Sequence, residues 1–163
     1  MKKKILNWWE RVRTVDTVFE EKTSGDIYVD RLVREWKQHG KIIVSIDFDS
    51  TISPYPTIEN QKDIDAVINL IKRVQGATYN VIFTACHPDR FEEIKFYCDK
   101  QGIRVDSINK NPIELPYGTG GKIYYNINLC DRSGLKEAMT TLETAYYIYR
   151  GWKQSEKPLT EIG

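Results

Sequence analysis

The sequence predicts an α/β fold over residues 41–150: an open, mainly parallel sheet with helices on both faces. Three observations predict it. Short runs of β-branched and aliphatic residues, too apolar for a half-exposed strand, alternate with segments whose apolar residues recur at helical spacing. The order is strand, helix, strand, helix, strand, loop, strand, helix, which right-handed connections wind into one sheet. Three of the four strands end on a polar group, Asp47, Thr84 and Asp131. Ligands of such sheets bind at that carboxyl edge.

Residues 1–40 read as a helical N-terminal extension. Trp8, Val12 and Val15 share one helical spacing, and Ile27, Arg31, Val33 and Trp36 a looser one. Thr23-Ser24-Gly25-Asp26 separates the two helices, with Asp26 the predicted N-cap of the second and His39-Gly40 its end. Lys41 to Asp47 is a buried strand built on Ile42, Ile43, Val44 and Ile46. Ile58 to Gln75 is a helix whose apolar face is Ile64, Val67, Ile68, Ile71 and Val74. Tyr79 to Thr84 is the second strand. Asp89 to Gln101 is the next helix, with Phe91, Ile94, Tyr97 and Cys98 inward and Gly102 as its cap. Ile103 to Ile108 is the third strand, and Asn109 to Gly121, rich in Pro and Gly, is a loop. Lys122 to Leu129 is the fourth strand, Leu135 to Arg150 the last helix, and 151–163 a frayed tail.

The length, 163 residues, suits one domain with a short appendage. Hydrophobic residues at 40% and charged residues at 29% are those of a soluble globular protein. A formal charge of +1 gives no general pull toward nucleic acid or an anionic membrane. No apolar run reaches the roughly 20 residues that span a bilayer. In Met1-Lys2-Lys3-Lys4-Ile5-Leu6-Asn7-Trp8-Trp9 the apolar stretch is broken by Glu10, Arg11 and Arg13, too early for a secretory leader, so the cytoplasm is the expected location. Cys86, Cys98 and Cys130 are odd in number and widely spaced, with no CxxC pair, and read as buried thiols rather than as a disulfide framework or a zinc site.

Asp47-Phe48-Asp49-Ser50-Thr51 directly follows the first strand. Two carboxylates two residues apart in a turn can face one site, and such like charges are costly without a proton or a cation between them. Mg²⁺, with its preference for carboxylate oxygen plus substrate phosphate, supplies that compensation. A solvated acidic loop is the ordinary alternative.

The stretch Ile43 to Ile52, a hydrophobic strand followed by Asp-x-Asp-x-Thr, is similar to the first motif of the haloacid-dehalogenase (HAD) superfamily of Rossmann-like hydrolases. The resemblance implies that Asp47 attacks phosphorus and forms an aspartyl-phosphate. It implies that Asp49 protonates the leaving oxygen and then activates water, its carbonyl also binding Mg²⁺. The family usually has Gly after the second Asp, where this chain has Ser50. Thr84, at the end of Val81-Ile82-Phe83-Thr84, matches the second motif, whose hydroxyl holds the transferring phosphoryl group. Lys122, after Gly118-Thr119-Gly120-Gly121, stands where the family has a Lys that neutralises nucleophile and phosphate. That glycine stretch lacks the spacing of a nucleotide-binding P-loop, and Ile123 follows the Lys. Asn128-Leu129-Cys130-Asp131-Arg132-Ser133-Gly134 resembles the Leu-Leu-Asp-Asp-Arg-Ala-Gly stretch of small bacterial and phage relatives. Cys130 replaces the first acid of that pair, and Asp131 is assigned to the metal.

Neither interval between motifs has room for a cap domain, so the resemblance implies an open site of a small, capless phosphatase, closed by a large substrate or a partner subunit. Residues 1–40 are candidates to stand in for the cap or to form a homo-oligomer contact. His87 and Arg90 follow Thr84 and are candidate substrate ligands, beside the readings of a solvated helix start and a surface ion pair. Pro54-Tyr55-Pro56 reads as a stiff connector, and the tryptophans and tyrosines as core. The expected activity is Mg²⁺-dependent hydrolysis of a phosphorylated substrate, a phosphomonoester such as a nucleotide or nucleic-acid end. The alternatives are a catalytically impaired HAD-fold interaction module and a CheY-like phospho-acceptor. Asp49 speaks against the latter, because a passive acceptor has little use for an adjacent proton donor.

Overall fold

A computed structural model describes residues 24–115 and 121–156; most of the expected N-terminal extension, most of the glycine stretch before Lys122 and the end of the tail lie outside the described residues. Helix α1 (Ile27–His39) starts where the sequence predicts, because Asp26 Oδ1 accepts from the N–H groups of Tyr28 and Val29 at 2.8 and 3.2 Å. It ends at Gly40, whose φ of 73° is left-handed and turns its N–H onto the Trp36 carbonyl. Strand β1 (Ile42–Asp47), helix α2 (Gln61–Val74), strand β2 (Thr78–Phe83), a 3₁₀ turn (Pro88–Arg90) and helix α3 (Phe91–Gln101) follow. Strand β3 (Ser107–Ile108), strand β4 (Ile127–Leu129) and helix α4 (Leu135–Ser155) complete the chain.

All strands are parallel, in the order β3-β2-β1-β4. The chain leaves β1 toward β2 on one side and returns to β4 on the other, so the topological switch point lies between β1 and β4. Ile46 pairs with both Ile82 and Leu129, which sets Asp47 and the residues after Leu129 at the same edge.

Two expected strands are shorter than their apolar sequence suggests, for one shared reason. Ahead of β3, Asp106 Oδ2 accepts from the Asn80 N–H at 2.7 Å while Asp106 N–H donates to the Asn80 carbonyl at 2.9 Å. Ahead of β4, Asn126 Oδ1 accepts from the Ile43 N–H at 2.7 Å and Asn126 N–H donates to the Ile43 carbonyl at 2.8 Å. A side-chain oxygen thus replaces a backbone carbonyl at both strand entries, and the regular ladder starts one residue later. Ile58 lies in a turn, its N–H on the Tyr55 carbonyl, so α2 begins later than expected. Helix α4 passes the expected end at Arg150 and carries Trp152 onto Tyr149 at 5.9 Å.

Ile42, Val44, Ile46, Ile82, Ile108, Ile127 and Leu129 share one hydrophobic core with buried residues of all four helices among the described residues. Helix α1 belongs to this core through Leu32 and Trp36, both fully buried. The Trp36 indole stacks on Tyr149 at 5.5 Å and donates to the Ala77 carbonyl at 2.7 Å, the polar handle a buried Trp requires. Ser45, on the alternate parity of β1, bonds Asn128 at 2.6 Å. Among the described residues no helix is long and apolar enough to cross a membrane.

Candidate active site

The turn after β1 is built from backbone bonds. The N–H groups of Ile52 and Ser53 both donate to the Phe48 carbonyl, at 3.1 and 3.0 Å, and Ser50 N–H donates to the Ser53 carbonyl at 2.8 Å. Phe48 and Ile52 anchor the turn in the core, Phe48 edge-on to Tyr97 at 5.4 Å. To close it, Ser50 takes a φ of 64°, the left-handed region that suits glycine. The Asn60 amide at the cap of α2 donates to the Ser50 carbonyl at 2.7 Å and holds the strained residue in place.

This turn returns Thr51, fully buried, beneath Asp47. The Thr51 hydroxyl donates to Asp47 Oδ2 at 3.2 Å and accepts the backbone N–H of Asp131 at 3.0 Å. Asp131 Oδ1 lies 3.5 Å from the same hydroxyl. The parallel pairing of β1 with β4 therefore converges at a single Thr. Ligand atoms of Asp47, Cys130 and Asp131 all lie within 4.8 Å of one another, each residue half-buried. Burial, and then Asp131 through its hydrogen bond and its charge, hold the Asp47 carboxyl up at about 6, while the Thr51 hydroxyl works in the opposite direction. The edge of the sheet at the switch point thus gathers two carboxylates and a thiol within 4.8 Å.

Of the residues predicted from sequence, Asp47 and Asp131 are brought together. Asp49 sits in the same turn, half-buried and bridged through its backbone to Ser53, and among the described residues no hydrogen bond or ion pair holds its carboxylate. Thr84 is buried just past β2, one residue beyond Phe83, the register partner of Asp47. Its hydroxyl accepts the Cys86 N–H at 3.2 Å. Lys122 is exposed, and among the described residues no contact joins it to the carboxylates. His87 caps the 3₁₀ turn and lies 3.0 Å from Asp89 Oδ2; Arg90 pairs with Glu93 at 3.6 Å, the local ion pair.

Two residues not singled out from sequence organise this edge. Thr51 was visible only as part of a motif, and its bridging of two strands is not. Asn109 clamps Thr84 with both amide atoms: Oδ1 accepts the Thr84 N–H at 2.9 Å and Nδ2 donates to the Thr84 carbonyl at 2.6 Å. Asn109 adopts a φ of 51°, and the signal in sequence was an Asn directly after a strand, a residue that tolerates the left-handed region.

No protein-family model and no curated protein matches the chain. Among solved structures it is similar to a conserved protein from Bacteroides thetaiotaomicron, with 18% identity and a TM-score of 0.46 over 72% of this chain and 93% of that one.

Proposed function

We propose that the chain is a Mg²⁺-dependent phosphomonoester hydrolase of the HAD type, working through an aspartyl-phosphate on Asp47. The observation that carries this reading is the convergence of Asp47 and Asp131 on Thr51 at the switch point of a parallel sheet. The two carboxylates of the cluster suit a divalent cation: one is held up at about 6 by burial and by its neighbour, and a hard cation relieves such a pair. Asp47 and Asp131, with the Asp49 carbonyl, would hold it. Bound there, Mg²⁺ supplies positive charge to the substrate phosphate and keeps the acids ionised.

The residues divide the remaining work. Thr51 orients the Asp47 carboxylate, which attacks phosphorus as the bond to the leaving oxygen breaks. Asp49, whose carboxylate no hydrogen bond or ion pair holds among the described residues, gives its proton to that oxygen and then takes one from the water that hydrolyses the acyl phosphate. Thr84, one residue beyond the register partner of Asp47 and with its backbone fixed by Asn109, would offer its hydroxyl to a phosphoryl oxygen. Lys122 has the charge to neutralise the phosphate once substrate draws it in. His87 and Arg90 have local partners already.

Two observations favour a second reading, a catalytically impaired interaction module: Cys130 stands where the resemblance has an acid, and among the described residues Lys122 makes no contact with the site. Hydrolysis of an aryl phosphate with and without Mg²⁺, wild type beside Asp47→Asn, decides. Mg²⁺-dependent turnover lost in the variant supports the hydrolase; a folded protein without turnover in either form supports the module.

A further inference from the structure

The metal reading above is the basis of this inference, which concerns the cation the site prefers. Cys130 Sγ belongs to the same cluster of ligand atoms as the two carboxylates, all within 4.8 Å. The thiol is turned toward them, 3.9 Å from Asp131 Oδ1. Leu129 immediately before it is fully buried and paired with Ile46, so the end of β4 is held against β1 and the sulfur cannot drift from Asp47 with a flexible loop. The other thiols are differently placed: Cys98 is sealed in the core, where burial pushes it up to about 12, and Cys86 lies beyond β2.

Mg²⁺ takes oxygen donors and water, and a sulfur in its shell contributes little. Thiolate sulfur selects softer ions, while carboxylates accept either kind. We infer that Cys130 is a third metal donor that biases this site away from Mg²⁺ and toward thiophilic divalent cations such as Zn²⁺ and Co²⁺. On ligation the sulfur–hydrogen bond is exchanged for a sulfur–metal bond and the proton leaves to solvent, with no oxidant or reductant required. Most sites hold Zn²⁺ more tightly than Mg²⁺. The signature of Cys130 is therefore its effect on the ratio of the two affinities.

The test uses the full chain and needs no turnover. Co²⁺ added to the wild type gives a sulfur-to-metal absorption band in the near ultraviolet; Cys86→Ser keeps the band and Cys130→Ser loses it. Calorimetric titration finds Zn²⁺ affinity lowered about tenfold or more in Cys130→Ser, with Mg²⁺ affinity unchanged. Cys130→Asp raises Mg²⁺ affinity, which also shows that substitution at this position leaves the site folded. Absence of Co²⁺ binding, a Co²⁺ spectrum without a sulfur band, or an equal Zn²⁺ to Mg²⁺ ratio in wild type and Cys130→Ser overturns the inference. Metal binding through sulfur without aryl-phosphate turnover refutes the hydrolase and leaves this inference standing; Mg²⁺-dependent turnover without a sulfur band does the reverse.

Discussion

The hydroxyl of Thr51 accepts the backbone N–H of Asp131 at 3.0 Å, joining the turn after β1 to the end of β4 across 80 residues of sequence. The same hydroxyl donates to Asp47 at 3.2 Å, so one buried oxygen ties together the two acids on which the proposed chemistry depends.

Thr51→Val keeps the shape and removes both bonds. The half-buried Asp131 N–H then loses its partner, which costs about 0.5–1.5 kcal/mol of stability, measurable by urea denaturation. If the hydrolase reading is right, turnover falls about tenfold or more in the fraction that remains folded, because Asp47 and Asp131 lose their common reference. Equal stability and equal rate in the variant would remove Thr51 from the argument.

Asp47 makes stability depend on pH in an unusual direction. Its carboxyl is raised from 3.8 to about 6 in the folded protein, chiefly by burial. Between those values the folded state binds more protons than the unfolded state, so metal-free stability falls as pH rises through that window and levels off above it. Denaturation midpoints across a pH series should show this slope, and Asp47→Asn should abolish it. Saturating Mg²⁺ should flatten it too, since a bound cation favours the ionised form. A slope that survives in Asp47→Asn would assign it to another group.

Ser50 carries strain at a φ of 64°. Ser50→Gly removes a left-handed penalty of about 1–2 kcal/mol and adds about 0.5–1 kcal/mol of unfolded-chain entropy, so the protein gains up to about 1.5 kcal/mol. Ser50→Val, β-branched in the same conformation, loses stability. Guanidinium denaturation of the pair measures both; a Val variant as stable as wild type would contradict the strained turn.

Asn109→Gly keeps the left-handed backbone and deletes the clamp on Thr84. The expected loss is about 1–3 kcal/mol of stability and, in the hydrolase reading, a higher KM for aryl phosphate. Asn109→Asp preserves the acceptor for the Thr84 N–H and should recover part of both. No difference between Gly and Asp variants would show that the clamp is idle.

Removing residues 1–40 takes away Leu32 and Trp36, both fully buried, and the remaining chain is expected not to fold cooperatively, as near-ultraviolet dichroism would report. Any test of a cap role must therefore stop short of Ser24. A cooperative melt after removal through Gly40 would show that α1 is dispensable.

Much of this molecule follows from local pattern. The helices α1 to α4, the strand leading to Asp47, the Asp26 cap and the Gly40 stop are set by period, capping chemistry and left-handed tolerance within a few residues, and all were legible without coordinates. The presence of Asp47, Asp49 and Asp131 at strand ends was legible for the same reason. Tertiary structure alone decided what lies between distant segments. Side-chain oxygens of Asp106 and Asn126 shorten two strands, Asn109 grips Thr84, and Thr51 bridges Asp47 to Asp131 because the parallel register lays β4 beside β1. Period and propensity carry information over one element's length, whereas a hydrogen bond across a sheet depends on which strands become neighbours. That choice is made by the burial of the whole core, and it set the sulfur of Cys130 beside two carboxylates.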